Sequence, residues 1–102
     1  MDKVSSIFNN STPPIAGESF HTLLKNKNVT IKRIVSSSKI DQEIMIQDDD
    51  EWFILILGEA TMFIDDEKVI LKRGDYCFVE RNTPHRLVEV EDGSIWLAVH
   101  IV

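Results

Sequence analysis

The chain has 102 residues, 43% apolar and 27% charged, enough for one domain with one modest hydrophobic core. Its formal charge of −6 argues against a general nucleic-acid binder, because phosphate binding depends on clustered Lys and Arg. No stretch approaches the roughly 20 apolar residues of a membrane helix, MDKVSSIFNN lacks the apolar centre of a secretory signal, and Cys77 has no second cysteine to pair with. A cytoplasmic protein without membrane contact is the expectation.

Residues 1–16 are irregular, with Asn9, Asn10, Ser11, Thr12, Pro13 and Pro14 as turn and breaker residues. In SFHTLLKNKN, residues Phe20, Leu23 and Leu24 share the spacing of one helical face, which predicts a short helix over about 18–26. The N-terminal segment is thus taken as 1–28 and a β domain as 29–102. VTIKRIV alternates apolar and polar residues. A polar loop and EIMIQ follow, then the acidic run Asp48-Asp49-Asp50, expected to be solvated loop. WFILIL is apolar on both faces, Gly58 breaks it, and EATMFID resumes alternation. Asp65-Asp66-Glu67 reads as a hairpin turn, answered by KVILK, and Arg73-Gly74-Asp75 as a second turn with positive φ at Gly74. YCFVE, HRLVEV and SIWLAVHIV complete the pattern. Short strands with regular turn signals predict an all-β sandwich or small barrel.

Over about residues 29–102 the chain resembles the cupin superfamily, on motifs that lie between Glu51 and His85. Cupins are small jelly-roll or double-stranded β-helix barrels with two signature stretches. The first joins a histidine pair to a glutamate and then a glycine; here Glu51, WFILIL and Gly58 match its second half. The second opens with glycine-aspartate and closes with histidine; here Gly74-Asp75 opens it and Thr83-Pro84-His85 closes it. Its usual proline falls on Glu80, its inner glycine on Asn82 and its terminal asparagine on Glu89. The histidine pair is missing. At one allowed spacing it falls on Met45 and Gln47, at the other on Ile44 and Ile46.

The resemblance puts Glu51 inside the barrel. Strand alternation then turns Phe53, Leu55 and Leu57 inward, with Met45 and Gln47 in the same interior. His85 starts a strand within the second signature. His100 is in phase with Trp96 and Ala98, so it reaches the interior if they do. The candidate ligand-binding set is Met45, Gln47, Glu51, Phe53, His85 and His100, and the catalytic candidates are Glu51 and His85. Gln47 suits hydrogen bonding to an organic ligand, and Met45 suits filling space. Trp96 and Tyr76 either line the cavity or pack. Cys77 is expected to be a core residue and His21 a surface one. Arg33 shares the apolar phase of Val29, Ile31 and Val35, so it either points inward or reaches solvent along its stem. Trp52, Ile54 and Ile56 would form an outward apolar stripe, which suggests a homodimer, unless the N-terminal segment covers it.

The resulting expectation is a small barrel that binds a small organic ligand, with metal absent or weakly held. The alternative is a metal-dependent cupin enzyme of dioxygenase, isomerase or decarboxylase type, holding a divalent ion through Glu51, His85, Gln47 and His100. A metal-free acid–base reaction of Glu51 and His85 is a further possibility.

Overall fold

The computed structural model describes residues 3–102. They form eight strands and no helix: β1 (Glu18–Asn26), β2 (Val29–Ser36), β3 (Asp50–Leu57), β4 (Glu59–Ile64), β5 (Glu67–Lys72), β6 (Tyr76–Val79), β7 (His85–Val90) and β8 (Ser94–Ile101). All pairings are antiparallel. One sheet has the order β1-β2-β8-β3-β6 and the other β5-β4-β7. The apolar faces of the two sheets meet in a core of Phe53, Leu55, Ala60, Met62, Leu71, Val79, Leu87, Val90, Trp96 and Ala98. Each large side chain among these contributes roughly 1.5–3 kcal/mol on burial. Among the described residues no helix is long and apolar enough to cross a membrane.

The expected helix over 18–26 is strand β1. Its register against β2 runs from Glu18↔Ser36 to Asn26↔Val29 and shifts between Thr22 and Leu24. That bulge explains the misleading pattern. An extra residue in a strand turns a period of two into a locally helix-like spacing of Phe20, Leu23 and Leu24. A helix of so few turns gains little without packing, whereas pairing with β2 satisfies the backbone along the whole segment. Lys27, at φ 54°, and Asn28 form the connecting turn.

Two other expectations change for similar reasons. The register between β3 and β8 shifts between Leu55 and Leu57, so Leu57 pairs with Ile95 and is exposed instead of continuing the inward row. EIMIQ is not a strand. Only Met45 bridges, through reciprocal backbone bonds with His85 of 2.8 and 3.0 Å.

β2 turns its more polar side inward. Ile34 pairs with Trp96 on the core side, so Val29, Ile31, Arg33 and Val35 face outward. Arg33 is buried there, neither in the interior nor in solvent. Its guanidinium donates to the backbone carbonyls of Ile7, Asn9 and Asn10 and holds the N-terminal segment against the outer face. Its Nη2 also lies 3.3 Å from Nδ1 of the exposed His21. Cys77 pairs with Phe53 and packs against the core. Burial, with Asp75 and Glu67 nearby, pushes its thiol pKa up.

Gly58 and Gly74 both have positive φ, at 98° and 94°, but different surroundings. A Cβ on Gly58 would lie 2.0 Å from Ser94 Oγ, whereas one on Gly74 would meet nothing within 4 Å. Ser94 is buried and its hydroxyl donates to the Glu91 carbonyl at 2.7 Å, so it has no room to yield. Gly58→Ala is expected to destabilise the fold by about 3 kcal/mol or more, and Gly74→Ala by about 1 kcal/mol from backbone strain alone. Urea unfolding of both variants checks this; equal losses would contradict it.

Candidate functional site

Between the sheets lies a cavity of about 50 Å³, walled mainly by apolar side chains that include Ile34, Phe53, Met62, Leu87 and Trp96. Three titratable groups also line it: Glu18 from β1, Glu51 from β3 and His85 from β7. Glu18, Met45 and Leu87 also belong to a wider vestibule of about 220 Å³, lined further by Phe20, Ile40, Asp41 and Glu43. The small inner chamber and the larger outer space thus share part of their walls.

Strand pairing sets the positions of the polar groups. Glu51 pairs with His100 across β3 and β8, which places both on the core face. Glu51 is 8% exposed, and its carboxylate accepts no hydrogen bond among the described residues. Its Oε1 lies 3.8 Å from His85 Nε2 and its Oε2 3.6 Å from His100 Nε2, both beyond hydrogen-bond length. The far side of each imidazole is held. His85 Nδ1 is 2.9 Å from the Thr83 carbonyl, and His100 Nδ1 is 3.2 Å from Asp49 Oδ2. A carbonyl only accepts, so His85 Nδ1 carries a proton and donates it to Thr83, which turns Nε2 toward Glu51. A proton between Glu51 and His85 therefore has two neighbouring basic sites.

Glu18 is anchored separately. Trp96 Nε1 donates to Ser36 Oγ at 3.0 Å, and the Ser36 hydroxyl donates to Glu18 Oε2 at 2.7 Å. Burial raises the pKa of Glu18 from its ordinary 4.5; the Ser36 bond opposes this and Asp41 adds to it. Burial likewise raises Glu51 above 4.5. His100 opposes the rise, Asp49 and Glu18 reinforce it, and Lys32 weakly opposes it.

Of the residues singled out in the sequence, Met45, Glu51, Phe53 and His85 line the cavity. Phe53 packs edge-on against Trp96, with ring centroids 5.6 Å apart. His100 stands behind Glu51 and is not part of the cavity wall. Gln47 lines neither space. Its side-chain Oε1 is buried without a partner, and its backbone carbonyl accepts from Asn82 N–H. Tyr76 is exposed. The acidic run is not uniformly solvated loop: Asp49 holds His100, and Asp50 binds Arg81 through its side chain and backbone N–H. Sequence reasoning misses Glu18 and Ser36. The helical reading of β1 hides Glu18, and Ser36 closes a strand whose apolar phase faces outward.

Among the described residues no three His, Cys, Asp or Glu side chains are arranged to hold a metal ion. His85 Nε2 and His100 Nε2 approach different oxygens of the Glu51 carboxylate.

A family model described as a cupin domain matches residues 41–100. A protein of Ralstonia eutropha JMP134, provisionally named a mannose-6-phosphate isomerase, has a similar structure: TM-score 0.84, 27% identity, 98% of each chain covered. The TT1209 protein of Thermus thermophilus superposes with TM-score 0.82 at 13% identity, covering 98% of this chain and 97% of that one. An RmlC-like cupin of Shewanella frigidimarina NCIMB 400 does so with TM-score 0.79 at 17% identity, covering 99% and 91%. These last two likenesses concern the fold. No curated protein matches the sequence at a significant level.

The raised pKa of Glu51 makes stability depend on pH. The folded state holds the carboxyl proton more tightly than the unfolded chain. That contribution is complete below the ordinary value of 4.5 and is lost as pH rises through the raised folded value. Glu51→Gln removes the cost of burying the charge. At pH 7.5 the variant is expected to be more stable by on the order of 1 kcal/mol, or about 4–8 °C in Tm. The gain is expected to vanish near pH 4. Thermal unfolding across pH tests this; a gain independent of pH would contradict it.

Proposed function

The chain belongs to the cupin family, and from that premise we propose that its barrel binds a small polar organic molecule in the interior, without a tightly held metal. The observation that carries this reading is the largely apolar chamber lined by Glu18, Glu51 and His85, which shares Glu18, Met45 and Leu87 with a wider vestibule. Apolar walls with a few convergent polar groups are the usual composition of small-molecule sites. The inner chamber has room for a few atoms, so the polar head of a ligand enters it and the remainder lies in the vestibule.

Glu51 and His85 give the site the means to move a proton. With the His85 proton held on Nδ1 by Thr83, its Nε2 and the Glu51 carboxylate face each other at 3.8 Å across the chamber wall. A ligand hydroxyl or a carbon-bound proton presented to this pair meets two groups that can each accept a proton and then return it. The isomerase name of the Ralstonia relative is compatible with such proton traffic.

The proposal extends to assembly. Trp52, Ile54 and Ile56 face away from the core and are half-buried, and the N-terminal segment held by Arg33 covers part of their sheet. Trp52 stacks at a tilt against Tyr76, 5.6 Å between centroids, and Tyr76 and Phe78 are exposed on the neighbouring strand β6. An apolar sheet face with exposed aromatic residues suits a second copy of the chain.

Amide NMR with a panel of small sugars, polyols and amino alcohols is expected to find compounds that perturb cavity residues, and His85→Ala and Glu51→Ala are each expected to weaken them by about 10-fold or more. Unchanged affinity in both variants would overturn the binding site. Elemental analysis of purified protein is expected to show well under one transition metal per chain; a stoichiometric, dialysis-resistant metal would instead support the metal-dependent alternative. Light scattering at micromolar concentration is expected to show a dimer that Trp52→Asp converts to monomer. A monomeric parent protein would refute the assembly.

A further inference from the structure

The interior carries more negative charge than its shape requires. Glu18 and Glu51 share the inner chamber, and Asp41 and Glu43 line the vestibule that shares part of its wall. No Lys or Arg lines either space among the described residues. Lys32 lies in the inward phase of β2, opposite Ala98, but forms no part of either wall. Arg86 is turned away from the chamber: its Nη1 lies 3.4 Å from Gln42 Oε1 at the rim, and its guanidinium sits 5.0 Å over the Phe63 ring.

A second observation gives the charge a direction. Glu51 is more than nine-tenths buried, lines the chamber and accepts no hydrogen bond, so its oxygens are available to a ligand donor. A buried carboxylate without a donor is costly, and the groups that relieve it best are cationic N–H donors. The aromatic rings of Phe53 and Trp96 beside it also favour a positive charge. An anion would meet two carboxylates on the walls, whereas the Lys32 ammonium that acts on Glu51 stands outside both walls.

On the reading of the chamber as a ligand site, we propose that it selects an organic cation. The protonated primary amine of a short molecule enters between Glu18 and Glu51, and its body lies in the vestibule against Phe20 and Ile40. Glu18, held by Ser36, is the specificity-determining residue in the wall that the two spaces share. Phosphorylated sugars, the class suggested by the name of the Ralstonia relative, are excluded by charge.

The test is a charge series on the full chain, by calorimetric or NMR titration. The probes are ethanolamine and putrescine as cations, ethylene glycol and butanediol as their neutral matches, and glycolate and mannose 6-phosphate as anions. The amines are expected to bind at least about 10-fold more tightly than the matched diols, with no saturable binding of the anions. Glu18→Gln, which keeps an acceptor for Ser36, is expected to weaken the amines by about 10-fold and so to narrow their advantage over the matched diols. Diols or anions binding as tightly as amines to the parent protein would overturn the cation preference and leave the ligand chamber standing. Binding of no probe of any charge would overturn both. The series on the parent protein decides the preference even if Glu18→Gln does not fold.

Discussion

Antiparallel pairing of β3 with β8 is the constraint on which the interior depends. It sets Glu51 opposite His100, Phe53 opposite Ala98 and Leu55 opposite Trp96. Because side chains alternate, one inward residue in this register turns the whole row toward the second sheet. The row then contains both the centre of the core and the acidic end of the chamber. A slip by one residue would send Glu51 outward and bring Trp52 and Ile54 into the core. The bulge after Leu55 ends the row, so β3 leaves the core as it approaches Gly58 and its close contact with Ser94.

The polar interior is organised by what stands behind each titratable group. His85 is held by reciprocal backbone bonds to Met45 and by the Thr83 carbonyl, His100 by Asp49, and Glu18 by the Ser36–Trp96 pair. Glu51 has no such support among the described residues, although it is buried. A carboxylate buried without a hydrogen-bond donor costs stability that its fixed neighbours do not return.

Much of this is legible in the sequence, and what is not has a physical cause. Turn chemistry at Asp65-Asp66 and Gly74 marks the hairpins, since those conformations restrict residue type. The spacing from Glu51 to Gly58 and from Gly74 to His85 carries the cupin resemblance, and β3 and β7 do place Glu51 and His85 on one chamber. β1 reads as a helix because a bulge imitates helical spacing. Arg33 escapes both sequence readings because the apolar phase of β2 faces outward, under the N-terminal segment, and periodicity identifies an apolar side without saying what covers it. Gln47 reads as interior only when strand parity is extended through a segment where Met45 alone pairs.

Residue type and local spacing are enough to specify the strand-and-turn pattern, the two signature stretches and the loss of the histidine pair at Met45 and Gln47. Which carboxylates share a space is settled only when the sheets assemble. Glu18 and Glu51 are far apart in the chain and lie on strands that are not neighbours in the sheet, yet they wall one chamber because β2 and β8 span the distance between them. The approach of His85 and His100 to different oxygens of Glu51 is likewise set by pairing across sheets and strands, a relation that no linear spacing encodes.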